Sequence, residues 1–65
     1  MTTTPTKQAD HYIIEWAYWA KSQREQFDNL NDAMAKAEEM MVPGVRVRLF
    51  VVFTDGSRTS ELLAA

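Results

Sequence analysis

The sequence has no cysteine, a single histidine, two glycines and two prolines among its 65 residues. Without cysteine the chain can form neither a disulfide nor a thiolate metal site, and His11 alone cannot build a zinc site. A chain of this length buries only about 60% of the surface that its unfolded form exposes. Packing, or association with another chain, must therefore supply its stability, and the sequence predicts no metal and no other cofactor.

Long apolar runs and an excess of positive charge are also missing. No run approaches the roughly 20 apolar residues of a membrane span, and the N-terminus lacks a basic region followed by an apolar one. The formal net charge of −2 and the pI near 5.2 provide no overall basic character for nonspecific nucleic-acid binding. We therefore expect a cytoplasmic protein with no membrane partner.

No arrangement of residues predicts catalysis. His11 has no convergent partners in the sequence, and Ser57 is explained by the turn that it follows. Glu38 and Glu39 are consecutive on a predicted helix, so their side chains diverge by about 100° instead of forming a carboxylate pair. The sequence predicts no catalytic residue, and we expect that the protein is not an enzyme.

The segment Val45–Phe53 is the clearest structural feature that is present. It is rich in valine and phenylalanine, and it lies between Gly44 and the pair Asp55-Gly56, which predicts a central β-strand. Alternate residues of a strand point to opposite faces of the sheet. One row is entirely apolar and predicts the core side: Val45, Val47, Leu49, Val51 and Phe53. The other row is half charged: Arg46, Arg48, Phe50 and Val52.

The first half of the chain predicts a leader and a hairpin. Residues 1–9 are threonine-rich and polar, which is typical of a flexible leader. Residues 12–19 are crowded with aromatic and β-branched side chains, which favours a strand, although part of this segment also fits helical spacing. The strand interpretation places a turn at residues 20–23 and a second strand at residues 24–27.

A helix is predicted between the two pairs of strands. Asn29 is a suitable N-cap, and Asp32 lies three residues later, where it can reach back to the cap. The helix is expected to span residues 30–41 and to end before Pro43-Gly44. Its apolar stripe is expected to face the sheet, with the methionines as core filler in preference to a plastic binding surface. The stripe comprises Leu30, Ala33, Met34, Ala37, Met40 and Met41.

Asp55-Gly56 is the favoured two-residue turn of a β-hairpin, and it predicts a polar edge strand at residues 57–62. In this register Leu62 faces Leu49 and joins the core, and residues 63–65 form a frayed end. The predicted fold is α+β with the order ββαββ. It forms one domain over residues 10–65, with a four-stranded antiparallel sheet in the order 2-1-3-4 and one helix on one face.

The opposite face of this sheet has no element to cover it. Its apolar and arginine-rich composition resembles that of interface hot spots and predicts a partner-binding surface. Glu15 is expected to pair with Arg46 or Arg48. The predicted partner-binding residues are Ile13, Glu15, Trp19, Arg46, Arg48, Phe50 and Val52.

These features predict a small, non-enzymatic protein-binding module. Contact with a different protein and self-association as a homodimer both remain open, since either would cover the apolar side chains. A nucleic-acid-binding or regulatory module is the alternative, because aromatic side chains on an open sheet can stack bases.

Three segments carry a resemblance to a known group of proteins: Phe27–Ala33, Ala37-Glu38 and Val42–Arg48. Together they are similar to the helix and following strand of small bacteriophage-encoded host-takeover proteins, including an inhibitor of bacterial RNA polymerase. The small size and the lack of cysteine are also similar to anti-CRISPR proteins. The resemblance implies inhibition of a host complex by surface occlusion, in the host cytoplasm, and it carries over no target-binding residue.

Overall fold

The structure, a computed structural model, describes residues 8–64. It contains β1 (Ala9–Tyr18), β2 (Lys21–Phe27), α1 (Leu30–Met40), β3 (Val45–Phe53) and β4 (Arg58–Ala64). The four strands form one antiparallel sheet in the order β2-β1-β3-β4. The predicted ββαββ fold and strand order are therefore confirmed. Most of the predicted leader lies outside the described residues, and Ala9, its last residue, is already the first residue of β1.

The core lies between α1 and one face of the two central strands. Ile14 of β1 and Val47 of β3 are fully buried, and Ala33 and Ala37 of the helix are fully buried above them. Small alanines let the helix backbone approach the sheet closely, while the branched side chains below fill the remaining space. The apolar row of β3 is thus the core row, as its alternation predicts, and no element within residues 8–64 covers its other face.

The helix begins and ends at recognisable signals. The Asn29 side-chain oxygen accepts a hydrogen bond from the Asp32 backbone N–H at 2.8 Å, and the Asn29 amide donates to the Asp32 carboxylate at 2.9 Å. After Met40 the chain turns through Pro43 and Gly44, whose φ of +87° fits a type II turn. The predicted helix is confirmed with one residue fewer.

Two ends of the predicted helix stripe are not buried. Leu30 and Met41 are both exposed, whereas Met34 and Met40 pack against the core. Leu30 is the first helical residue and Met41 follows the last, so both lie beyond the area of sheet that α1 covers. The prediction that Leu30 and Met41 face the sheet is therefore wrong.

The first hairpin is tighter than the sequence predicts. Tyr18 pairs with Lys21, so the connection is a two-residue turn of Trp19 and Ala20, and β2 begins three residues before the predicted Arg24. The strand interpretation of residues 12–18 is confirmed, and the helical one is wrong. Trp19, however, is in the turn and not on the strand. Tyr18 lies at the end of β1 and is 52% exposed.

The second hairpin is shifted by one residue from the predicted register. The Phe53 N–H donates to the Ser57 carbonyl at 2.8 Å, which leaves a three-residue loop in place of the two-residue turn. Val51 therefore pairs with Thr59, and Arg48 pairs with Leu62. A shift of one residue moves a side chain to the opposite face, so Leu62 leaves the core and is 49% exposed.

The last two described residues of β4 make the core contact that the sequence predicts for Leu62. A register irregularity between Val47 and Arg48 lets Ala64 pair with Val47. Leu63 and Ala64 both pack against the core. These two residues are thus part of the last strand, not a frayed end, and Ala65 lies outside the described residues.

Candidate functional site

The face of the sheet opposite α1 is the candidate site. Cross-strand partners project from the same side of an antiparallel sheet, so the pairing defines its members. Ile13 pairs with Phe50, Glu15 with Arg48 and Ala17 with Arg46. The open face, as we call this surface, comprises His11, Ile13, Glu15, Ala17, Ser22, Arg24, Gln26, Arg46, Arg48, Phe50, Val52, Arg58, Ser60 and Leu62.

Phe50 is the aromatic side chain at the middle of the open face. The Arg24 guanidinium lies 5.7 Å from the centre of its ring and the Arg58 guanidinium lies 5.6 Å from it. Both distances fall within the range of cation–π attraction, which contributes about 0.5–1 kcal/mol at exposed sites. Two arginines from opposite edge strands therefore converge on one ring, and Phe50 is half-buried as a result.

The ion pair of the open face differs from the predicted one. The Glu15 carboxylate pairs with Arg24 at 2.8 Å across β1 and β2. Arg48 lies directly opposite Glu15 on the other side, yet neither Arg46 nor Arg48 forms an ion pair within residues 8–64. The predicted pairing of Glu15 with Arg46 or Arg48 is replaced by this contact. The charges of Arg46 and Arg48 are thus available to a partner.

The charge of the molecule is divided between its two sides. All four arginines of the sequence lie on the open face, together with one acidic residue, Glu15, giving a formal charge of +3. The rest of the sequence contains three lysines and eight acidic residues, a formal charge of −5. The total of −2 therefore conceals a basic face on an acidic protein.

Trp19 occupies an unusual position at the end of this face. It is the first central residue of the β1–β2 turn and has a φ of +59°, while Ala20 does not have a positive φ. This pattern fits a type II′ turn, in which glycine normally takes the first central position. For a bulky residue a positive φ is a strained conformation that costs on the order of 1–3 kcal/mol. The indole is nonetheless 87% exposed.

A shallow notch lies between Trp19 and the open face. It has a volume of about 240 Å³ and is lined by Ala17, Trp19, Gly44 and Arg46. Ala17 and Gly44 carry almost no side chain, so the floor is low, while the indole and the guanidinium provide the taller groups. A wider depression of about 350 Å³ on the turn is lined only by the consecutive residues 18–21. That depression is the concavity of the turn itself.

The structure brings together six of the seven predicted binding residues on the open face: Ile13, Glu15, Arg46, Arg48, Phe50 and Val52. Trp19 is the exception, and it adjoins the face through the notch. Sequence reasoning did not name Arg24, Arg58 and Leu62. The predicted turn at residues 20–23 already places Arg24 on this face, opposite Trp19. The faces of Arg58 and Leu62 depend on the register of β4, and a three-residue second turn would have placed both correctly.

Other kinds of site receive little support from the described residues. Within residues 8–64, no group of three or more histidine, aspartate and glutamate side chains could hold a metal ion. The His11 ring lies 2.7 Å from the Asp10 carboxylate, a contact between sequence neighbours at the β1 register shift. In the same part of the chain no helix has the length and apolarity to cross a membrane.

Comparisons of the chain with protein-family models, with curated proteins and with solved structures find no match in any of the three. The similarity to phage host-takeover proteins therefore stays a prediction, and the functional inference rests on the geometry described above.

Proposed function

We propose that this domain is a non-enzymatic protein-binding module whose open face docks onto an acidic surface of a partner protein. The observation that carries the proposal is the collection of all four arginines on the sheet face opposite α1, which no helix of the described part of the chain covers. Opposite charges on two surfaces accelerate their encounter and fix their orientation. The apolar side chains between the arginines then supply the buried contact area.

The composition of the face favours protein over nucleic acid. Protein interfaces are enriched in arginine and aromatic residues and depleted of lysine. Neither Lys21 nor Lys36 lies on the open face, since one pairs with Tyr18 on the helix side and the other is in α1. The Phe50 ring has an arginine on either side, so a base could stack on it only after displacing a guanidinium.

The charge also argues against a second copy as the partner on this face. A two-fold symmetric dimer presents the same patch from both subunits. Two open faces would bring four arginines and Glu15 of one copy, a formal charge of +3, against the same set of the other copy. A partner with the opposite charge avoids this repulsion, so we favour a different protein over a homodimer.

The resemblance to phage takeover proteins supplies the finer part of the proposal. A domain without a catalytic arrangement acts on a host complex by covering a surface that the complex needs. The open face spans all four strands of the sheet, which suits this mode of contact. We accordingly propose an inhibitor of this type, possessing no activity of its own and acting in the host cytoplasm.

A nucleic-acid-binding module is the second candidate, and one observation favours it. Phe50, held between two arginines on an exposed sheet, combines a ring and cations in the way that sheet platforms for single-stranded nucleic acids do. Binding of this kind is strongly salt-dependent, because phosphate contacts release counterions. Fluorescence anisotropy with labelled 20-nucleotide RNA and DNA, at low and high salt, measures it directly.

The proposal is tested by capture of proteins from a lysate of the source cells or their host on immobilised wild type and two single variants. Arg46→Glu reverses a charge on the open face, and Lys21→Glu makes the same change at an exposed position on the opposite face. We expect an acidic protein that binds wild type and Lys21→Glu equally, and binds Arg46→Glu at least about tenfold more weakly, equivalent to 1.4 kcal/mol. Mass spectrometry identifies it, and titration of the purified protein gives the affinities.

Two results would contradict the proposal. One is a captured protein that Arg46→Glu and Lys21→Glu retain equally, since its binding would not involve the open face. The other is salt-sensitive binding of the RNA or DNA probe that Arg46→Glu abolishes and Lys21→Glu preserves, which would establish the second candidate.

A further inference from the structure

The notch beside Trp19 differs chemically from the rest of the open face. Its lining combines Ala17 and Gly44, which have no side-chain hydrogen-bonding group, with Trp19 and Arg46, which carry an indole and a guanidinium. Such a surface fits an aliphatic group that adjoins an anion. Ala17 and Gly44 offer no side-chain donor or acceptor to the edge of a nucleobase.

The conformation of Trp19 is a second and independent observation. Its indole makes an edge contact with Tyr18, with ring centres 6.0 Å apart, but it is otherwise almost wholly exposed. Contacts within residues 8–64 therefore do not account for a bulky residue at a position that suits glycine. Residues with strained backbone conformations cluster at ligand-binding sites, where the conformation positions the side chain for contact with the ligand.

We propose that the notch is the anchor point of the interface, where Trp19 and Arg46 bind an aliphatic side chain that is next to a carboxylate in the partner protein. This inference rests on the proposed function and names the local chemistry of the partner. The aliphatic group lies on Ala17 and Gly44 against the indole face. The carboxylate pairs with Arg46, which has no ion-pair partner within residues 8–64.

A pair of synthetic peptides provides the probe. Acetyl-Glu-Leu-Glu-Leu-amide offers leucines next to carboxylates, and acetyl-Gln-Leu-Gln-Leu-amide has nearly the same shape without the charge. Binding is followed by ¹H–¹⁵N NMR at the two indole N–H groups. We expect the acidic peptide to shift the Trp19 signal and leave that of Trp16, which packs against the core under the helix. The neutral peptide is expected to bind at least about tenfold more weakly.

Two variants separate the notch from the overall charge of the face. Trp19→Gly removes the indole and places glycine where the turn prefers it, so we expect an unfolding temperature that is unchanged or raised by about 4 °C. Binding of the acidic peptide should fall at least about tenfold. Ala17→Val fills the floor and should weaken binding similarly. Gln23→Val changes an exposed residue of the same edge strand that pairs with Trp16 on the helix side, and it should have no effect.

The inference is overturned if the acidic peptide fails to shift the Trp19 signal, if both peptides bind equally, or if Trp19→Gly binds as wild type does. A fall in the unfolding temperature of Trp19→Gly would show that the indole has a structural role and would also count against it. Stronger binding by uridine monophosphate than by the acidic peptide would reassign the notch to nucleotides. If Trp19→Gly still captures an acidic protein that Arg46→Glu fails to capture, the notch is not the anchor point of the interface, and the proposed function stands.

Discussion

Single residues determine how α1 begins. Asn29 both accepts a hydrogen bond from the Asp32 N–H and donates one to the Asp32 carboxylate, so one side chain satisfies a helix donor and holds a favourable charge near the N-terminus. The helix has only 11 residues, too few to be stable without its cap and its packing on the sheet.

We expect Asn29→Ala to lower the free energy of unfolding by about 1 kcal/mol, because the substitution leaves the Asp32 N–H without its acceptor. Asn31→Ala is the matched control, because Asn31 lies two residues after the cap and is exposed. It should change stability by less than about 0.5 kcal/mol. Urea unfolding followed by circular dichroism measures both. Equal effects of the two substitutions would show that the cap contributes nothing specific.

The residue patterns that determine burial could be interpreted from the sequence alone. The unbroken apolar row of Val45–Phe53 predicts the core side of β3, and the spacing of Ala33 and Ala37 predicts the contact face of the helix. Trp19 could not be placed in the same way. Its turn lacks glycine and asparagine, so no local signal distinguishes a two-residue turn at 19–20 from a longer one at 20–23.

At the scale of elements, the β3–β4 hairpin shows how a turn determines a register. The Gly56 N–H donates to the Phe53 carbonyl at 3.0 Å, and Gly56 has a φ of +90°. This geometry fits a three-residue loop with its last residue in the left-handed region. The dipeptide Asp-Gly is compatible with both loop lengths, which is why the sequence alone placed β4 one residue out of register and Leu62 on the wrong face.

We expect Gly56→Ala to reduce stability by about 1 kcal/mol through backbone conformation alone. A Cβ at this position would have no atom within 4 Å, so no steric contact contributes. Thr54→Ala, in the same loop, is the control for local disturbance. Thermal unfolding measures the difference. A Gly56→Ala protein as stable as wild type would contradict the positive φ on which the three-residue loop and the position of Leu62 depend.

At the scale of the whole molecule, the two sides of the sheet serve different purposes. One side is closed by α1 and contains the buried apolar residues. The other carries all four arginines, two of them beside the Phe50 ring, while the rest of the sequence is acidic. The sequence predicted that this face is open, since one helix can cover only one side. It could not predict that Arg58 joins it, because the face of Arg58 depends on the length of the second turn, which the sequence leaves ambiguous.

The central claim is that the partner contacts the open face. Ile13 and Ile14 are adjacent in β1 and point to opposite faces, since Ile13 pairs with Phe50 whereas Ile14 is fully buried under the helix. Saturation transfer from the protonated partner to methyl-labelled, otherwise deuterated protein distinguishes them in one spectrum. The account predicts strong transfer to the Ile13 methyl and little to that of Ile14. Strong transfer to methyls of the α1 side, such as Ala35, with none to Ile13 would contradict it.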